Sequence, residues 1–300
     1  YGKGSHIRNL LGGIRDDEKV ISILPMERSL IENPEGHFLM FATANGRIKK
    51  SRLSEYSRIN RNGKFALKFA DGDSDNLVSV RPATNADHVV LVSASGNACR
   101  FMPAEEKTRI SPETGESVTT YVVRVQGRIS QGVSGMKLSG NDKVIGMIVT
   151  DDFDTSVLTI SKYGMAKRSR LGSGEMLPQT EGGAPVVDES GDQVFERDGY
   201  RKTNRGTKGV RTMSLRDGDE IVGVRQIPDL DDQLFMLTGS GMMIRMVSGQ
   251  TKETLGKVTK GTRIMELRNR DRTGYEDEIV FVARLPSELI STGESLEEEE

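Results

Sequence analysis

The stretch Phe38-Leu39-Met40-Phe41-Ala42-Thr43-Ala44-Asn45-Gly46-Arg47-Ile48-Lys49-Lys50 decides how this chain is read. An apolar run ends in a small hydroxyl residue, a Gly follows three positions later, and a cation lies four positions past the Gly. That order spells a strand, a tight turn and a returning strand. The pattern recurs at Val89 to Gly96, Val157 to Gly164 and Leu234 to Gly241. Thr43, Ser93, Ser161 and Thr238 share the position before the turn, and Lys50, Arg100, Arg168 and Arg245 share the position after it. Four equivalent cations on a repeated hairpin predict a row along one rim of a closed array. A periodic positive row suits a polyanion with a regular backbone, and double-stranded DNA is the leading candidate. Further cations flank the row: Arg47, Lys49 and Arg52; Lys167 and Arg170; Lys202, Arg205 and Lys208.

A second element recurs between the hairpins. It runs Gly, apolar residues at plus four and plus six, then an acid and a short apolar strand. The copies are Gly132, Met136, Leu138 and Asp142; Gly209, Met213, Leu215 and Asp219; Gly261, Met265, Leu267 and Asp277. Gly63, Leu67, Phe69 and Asp75 form a looser copy, and Gly4 with Leu10 the loosest. The turn glycines Gly46, Gly96, Gly164 and Gly241 are 50, 68 and 77 residues apart. The variation falls in two long connections, 103–131 and 171–208. Repeats of this kind fit propeller-like blades of four short strands, stacked around an axis because no blade buries both faces alone. The expected division is 1–60, 61–130, 131–208 and 209–260, with a partial fifth unit at 261–287 and an acidic, disordered tail at 288–300.

Composition agrees with an all-β chain. Aromatics are 5% and Trp is absent, so the core must come from Val, Ile, Leu and Met on strands. The chain has 33 Gly and little helical periodicity. No apolar run approaches the roughly 18 residues that span a bilayer, and Tyr1 begins no signal-peptide pattern. The single Cys99 excludes an internal disulfide and fits a reducing cytosol. The net charge of −2 conceals an asymmetry: six of the 44 acids lie between Glu288 and Glu300, leaving 38 elsewhere against 42 bases. A mildly positive body therefore carries a negative end, read either as solubilising or as a DNA mimic competing for the rim.

Catalytic signatures are missing from the sequence. His6, His37 and His88 stand at no ligand spacing with Cys99, so no metal site is expected. Gly239-Ser240-Gly241 lacks the third Gly of a dinucleotide fingerprint and sits in a hairpin turn. No nucleophile elbow occurs. Asp142, Asp219 and Asp277 fall in turns before strands, where hydrogen bonding to the turn explains them.

Phe41 to Lys50, Gly63 to Asp73 and Arg205 to Val210 resemble stretches of the DNA gyrase A subunit in its C-terminal domain. The resemblance covers the chain to about Leu285, and the acidic tail also has counterparts in that family. It implies a β-pinwheel, a propeller-like disc of blades that exchange strands and wrap DNA on a basic outer rim. In gyrase that wrap supports ATP-dependent negative supercoiling. The resemblance implies no cofactor in this domain, since ATP and Mg act through other parts of the enzyme. It implies as partners the gyrase B subunit plus the remainder of the gyrase A subunit. It also implies a monomeric isolated domain and a place in the bacterial cytoplasm at the nucleoid. Nothing resembles the sequence around the cleavage tyrosine, so Tyr1, Tyr56, Tyr121, Tyr163, Tyr200 and Tyr275 are not candidates for it.

One departure stands out. The Gln-Arg-Arg-Gly-Gly-Lys-Gly-like box of the first gyrase blade is not found, so the expected pinwheel lacks that blade. A chain that lacked the box altogether would instead resemble topoisomerase IV, whose related domain steers substrate choice. Two other readings compete. A protein-binding propeller would show an apolar patch on one disc face, and a propeller-fold enzyme would show converging catalytic groups.

Overall fold

The computed structural model describes residues 18–59, 63–69, 74–111, 115–254, 259–269 and 273–290, with Gly4, Asn9 and Ile14. Residues 291–300 of the acidic tail and most of the Gly4 to Leu10 copy lie outside the described residues. One short helix, α1 (Arg28–Glu32), precedes the strands. In chain order these are β1 (Phe38–Thr43), β2 (Arg47–Arg52), β3 (Leu77–Ala83), β4 (His88–Ser93), β5 (Asn97–Phe101), β6 (Glu106–Ile110) and β7 (Ser117–Tyr121). There follow β8 (Val133–Ser134), β9 (Val144–Thr150), β10 (Ser156–Ser161), β11 (Met165–Arg170), β12 (Met176–Pro178), β13 (Thr180–Glu181) and β14 (Ala184–Pro185). The last are β15 (Phe195–Arg197), β16 (Val210–Arg211), β17 (Ile221–Ile227), β18 (Gln233–Thr238), β19 (Met243–Val247), β20 (Thr262–Arg263) and β21 (Ile279–Leu285).

Each of the four repeated motifs is an antiparallel hairpin: β1–β2, β4–β5, β10–β11 and β18–β19. Around them the sheets run β3-β1-β2-β8, β9-β4-β5-β16, β17-β10-β11-β20 and β21-β18-β19. The inner strands β3, β9, β17 and β21 pack against one another in succession, which places them towards the axis and β8, β16 and β20 at the rim. The chain therefore exchanges strands. It leaves the inner strand of one sheet, forms the next hairpin, then returns to add the outermost strand of the earlier sheet. From there it crosses to the inner strand of the newer one. The structure is a β-pinwheel. Gly261 to Leu285 adds no fifth sheet among the described residues. A half-copy holds only an outer and an inner strand, so β20 completes the third sheet and β21 opens the fourth.

The first three hairpins are apolar on both faces because their sheets are packed on two sides, while the fourth buries only one face, leaving Leu237 and Met243 exposed. Phe38, Met40 and Ala42 face the second sheet, while Leu39 and Phe41 face Leu24, Met26 and Leu30 of the preceding segment. Val89 and Leu91 pack back on the first sheet, and Val90 and Val92 pack forward on the third. Leu158 and Ile160 meet Leu234 and Met236 in the last inter-sheet core. Full burial of a side chain such as Met40 contributes roughly 1.5–3 kcal/mol.

The turn chemistry repeats four times. Each inner strand carries a one-residue bulge opposite the hydroxyl position, with register shifts at Thr43, Ser93, Ser161 and Thr238. Those hydroxyls accept the amide that follows the turn Gly, from Arg47, Asn97, Met165 and Met242. Asp75, Asp142, Asp219 and Asp277 each accept an amide of the turn, from Asn45 (2.8 Å), Ser95 (2.9 Å), Tyr163 (3.2 Å) and Ser240 (3.1 Å). Hydrogen bonds from Ser240 and Thr238 hold the Asp277 carboxyl down at about 2. The acids thus have the structural role that turn bonding implies. Asp142→Ala is expected to lower stability by about 1–2 kcal/mol, because it strips acceptors from the Ser95 and Lys143 amides. Urea denaturation reads the change, and a loss below a few tenths would contradict it.

The long connections form two-stranded ribbons. β6 pairs with β7, and β12 pairs with β15 around the β13–β14 tip. Both are largely exposed, and the second is rich in Gly, Asp and Glu.

Candidate nucleic-acid interface

The exchanged segments meet the turns through backbone. Gly46 O accepts from Gly135 and Met136, Gly96 O from Thr212 and Met213, and Gly164 O from Ile264 and Met265. At Gly46, Gly96 and Gly164 φ is near +80°, and an added Cβ would sit 2.5, 2.7 and 2.3 Å from the carbonyl oxygens of Met136, Met213 and Met265. Gly241 has no atom within 4 Å of that point, since the fourth sheet has no exchanged strand among the described residues.

This exchange decides where the expected cations go. Lys50, Arg100 and Arg168 are buried, at 2%, 1% and 7% exposure. Lys50 Nζ donates to Asn85 Oδ1 at 2.7 Å and lies 4.0 Å from the centre of the Phe38 ring. Arg100 Nη1 donates to the carbonyls of Leu171 (2.8 Å) and Tyr200 (2.9 Å), and its Nε to His88 Nδ1 (3.3 Å). Arg168 Nε donates to Thr251 O at 2.9 Å, and its Nη1 to Ser156 Oγ and Glu253 Oε2. Arg245, on the uncovered fourth hairpin, is exposed and leans on Gln233. The expected row of four rim cations is therefore corrected: three are interior side chains that tie their sheet to the connecting segments laid over it. Burial lowers the Lys50 ammonium and brings Arg100 down to about 10.

The flanking cations divide. Lys49 Nζ is buried on the carbonyls of Ala66 and Arg128, and Lys167 Nζ on that of Thr212. Burial lowers both to about 8. Arg205 is half-buried, donating to Val122 O. Arg47 is half-buried, while Arg52, Arg170, Lys202 and Lys208 are exposed. Arg170 pairs with Asp154 and Asp198, and Lys202 with Glu175.

The outermost strands bring, beside the expected Lys208, the cations Arg211, Lys260 and Arg263, which the hairpin pattern does not single out. Lys208-Gly209-Val210-Arg211 and Lys260-Gly261-Thr262-Arg263 form β16, β20 and their approaches, with the same cations on either side of the Gly. Lys208, Arg211 and Lys260 are exposed, and their side chains make no hydrogen bond or ion pair with a described residue; Arg263 pairs with Glu266 at 2.6 Å. The first copy, Gln131-Gly132-Val133-Ser134, lacks both charges. The signal lies in the second repeated element, beside the Gly and apolar residues that define it. Among the described residues no group of three or more His, Cys, Asp and Glu is placed to hold a metal, and no helix is long and apolar enough to cross a membrane.

The His88–Arg100 contact has a pH consequence. Burial, and then the charge of Arg100, hold the imidazole down at about 4, so it is neutral in the fold at pH 7. An unfolded His takes a proton near 6.5. The fold therefore keeps this stability above pH 6.5 and loses it as pH falls towards 4, by about 2–3 kcal/mol. His88→Gln keeps an acceptor for Arg100 and is expected to flatten that part of the profile. Identical profiles from urea melts at pH 7.5 and pH 4.5 would contradict it.

The chain matches the family described as DNA gyrase C-terminal domain, beta-propeller, over residues 37–84, 117–151, 194–228 and 232–273. It is 29% identical to the DNA gyrase A subunit of Rickettsia bellii, across 89% of this chain and 29% of that protein. It is 28% identical to the DNA gyrase A subunit of Escherichia coli, across 94% of this chain and 26% of that protein. The chain thus spans under a third of the curated relatives it matches. Among solved structures it is similar to the C-terminal domain of DNA topoisomerase IV, with a TM-score of 0.69, 18% identity, and 99% and 75% of the two chains covered. The DNA gyrase A C-terminal domain gives 0.59 at 18% identity, over 93% and 74%. With strand exchange, repeated turns and more than half of its residues matched, the chain belongs to the DNA gyrase C-terminal domain family.

Proposed function

We propose that this chain binds duplex DNA along the rim made by its exchanged strands and bends it, as a non-catalytic wrapping domain of a gyrase A subunit. The carrying observation is the doubled Lys-Gly-x-Arg of β16 and β20: cations at matched positions on neighbouring terminal strands. Such groups contact phosphates with little regard to sequence. The exposed Arg52, Arg170, Lys202 and Arg245 extend the same charge, whereas Lys50, Arg100 and Arg168 act through the scaffold. In this reading the wrap supports ATP-dependent negative supercoiling in the bacterial cytoplasm, together with the gyrase B subunit plus the remainder of the gyrase A subunit. ATP and Mg serve those other parts, and the domain alone is monomeric.

Bending 20–30 base pairs costs of order 1–6 kcal/mol, so contacts on successive strands must act together to offset it. Affinity should then rise steeply once a duplex is long enough to reach both β16 and β20, and fluorophores at its ends should approach on binding. Affinity that does not change with duplex length, with no change in transfer efficiency, would sink the proposal. A topoisomerase IV domain steering substrate choice is the second reading, favoured by the higher structural similarity to that enzyme's domain. Supercoiling by an enzyme carrying this domain separates the two.

A further inference from the structure

A cavity of about 360 Å³ opens at the outer edge between the second and third sheets. It lies between β11, the exchanged strand β16, and the ribbon formed by β12 and β15. Its lining carries five cations, Lys167, Arg170, Arg197, Arg201 and Arg211, against one carboxylate, Glu196. Three of the five are engaged: Lys167 with Thr212 O, Arg170 with Asp154 and Asp198, and Arg197 with Gly174 O. Arg201 and Arg211 are exposed, and their guanidinium groups make no hydrogen bond or ion pair with a described residue. Met176 and Phe195 of the ribbon, at 47% and 52% exposure, form an apolar wall of the same cavity.

Two unpaired guanidinium groups offer forked donors that match a phosphate. A half-exposed aromatic ring beside them offers a face for a planar group. We propose that this cavity binds a phosphate ester bearing a planar base, with the phosphate between Arg201 and Arg211 and the base against Phe195 and Met176. This goes beyond duplex wrapping, because a base stacked inside a duplex cannot reach the apolar wall. The phosphate has two sources, a free nucleotide or a DNA strand, and they give different results below.

Calorimetric titration of the chain with adenosine monophosphate is expected to saturate in the millimolar range or below, with inorganic phosphate binding more weakly. The double variant Arg201→Gln, Arg211→Gln should lose about tenfold or more in affinity for both. Phe195→Ser should weaken the nucleotide but leave inorganic phosphate unchanged. These side chains are exposed, and a thermal melt of each variant shows that it folds. Displacement of a bound duplex by the nucleotide assigns the cavity to DNA phosphate. Simultaneous binding of both assigns it to a free nucleotide. Absence of saturable binding at millimolar nucleotide, or equal affinity in the double variant, overturns the proposal while leaving duplex binding to be judged on its own.

Discussion

Reversing Lys208, Arg211, Lys260 and Arg263 to Glu is expected to lower duplex affinity by about a hundredfold or more, the largest binding effect available from four residues. The four flank Gly209 and Gly261, which lead into β16 and β20, the terminal strands of adjacent sheets. If each neutralises one phosphate, the slope of log affinity against log salt should shrink by about 3–4, at roughly 0.9 per contact. Fluorescence anisotropy between about 50 and 200 mM salt reads both quantities. The exposed Arg28 of α1, paired with Glu32, supplies the control, and its reversal should change little. An unchanged slope in the fourfold variant would remove these strands from the interface.

The second large effect concerns stability. Gly164→Ala is expected to cost about 3–4 kcal/mol, and Gly241→Ala about 1–2. Both glycines have positive φ, +80° and +91°, which costs an L side chain roughly 1–2 kcal/mol. Only at Gly164 does the new Cβ also run into the exchanged segment, 2.3 Å from Met265 O. That backbone cannot retreat without releasing the Ile264 and Met265 amides from Gly164 O, so an overpacking cost of roughly 1–3 kcal/mol adds. Urea unfolding of the two variants measures the difference. Equal losses would mean that the exchanged segment does not hold the turn closely.

The fold was legible because its determinants are local and repeated. Strand, hydroxyl, turn Gly and acid occur within short stretches, and each does at Thr43, Gly46 and Asp75 what its chemistry suggests. The cations were legible as equivalent positions but not as exposed ones. Whether Lys50 faces solvent depends on the segment around Val125, which crosses its strand from another repeat, and no local pattern announces that. Arg245 shows the converse, since the same hairpin position left uncovered is exposed. The acidic ribbon over the cavity was legible as an insertion; the arginines that line the cavity come from β11, the ribbon itself, β16 and its approach, and meet only in the folded chain.

The proposed wrap requires the rim of exchanged strands to coil bound DNA with one handedness. Its most direct measurement is the linking number of a plasmid relaxed by a topoisomerase in the presence of this chain. Wild type is expected to shift the topoisomer distribution away from the protein-free centre in proportion to protein bound. The Glu variant of Lys208, Arg211, Lys260 and Arg263 is expected to leave it at the protein-free centre. A wild-type distribution that stays at that centre while the plasmid is saturated, or an equal shift by the variant, would contradict the account.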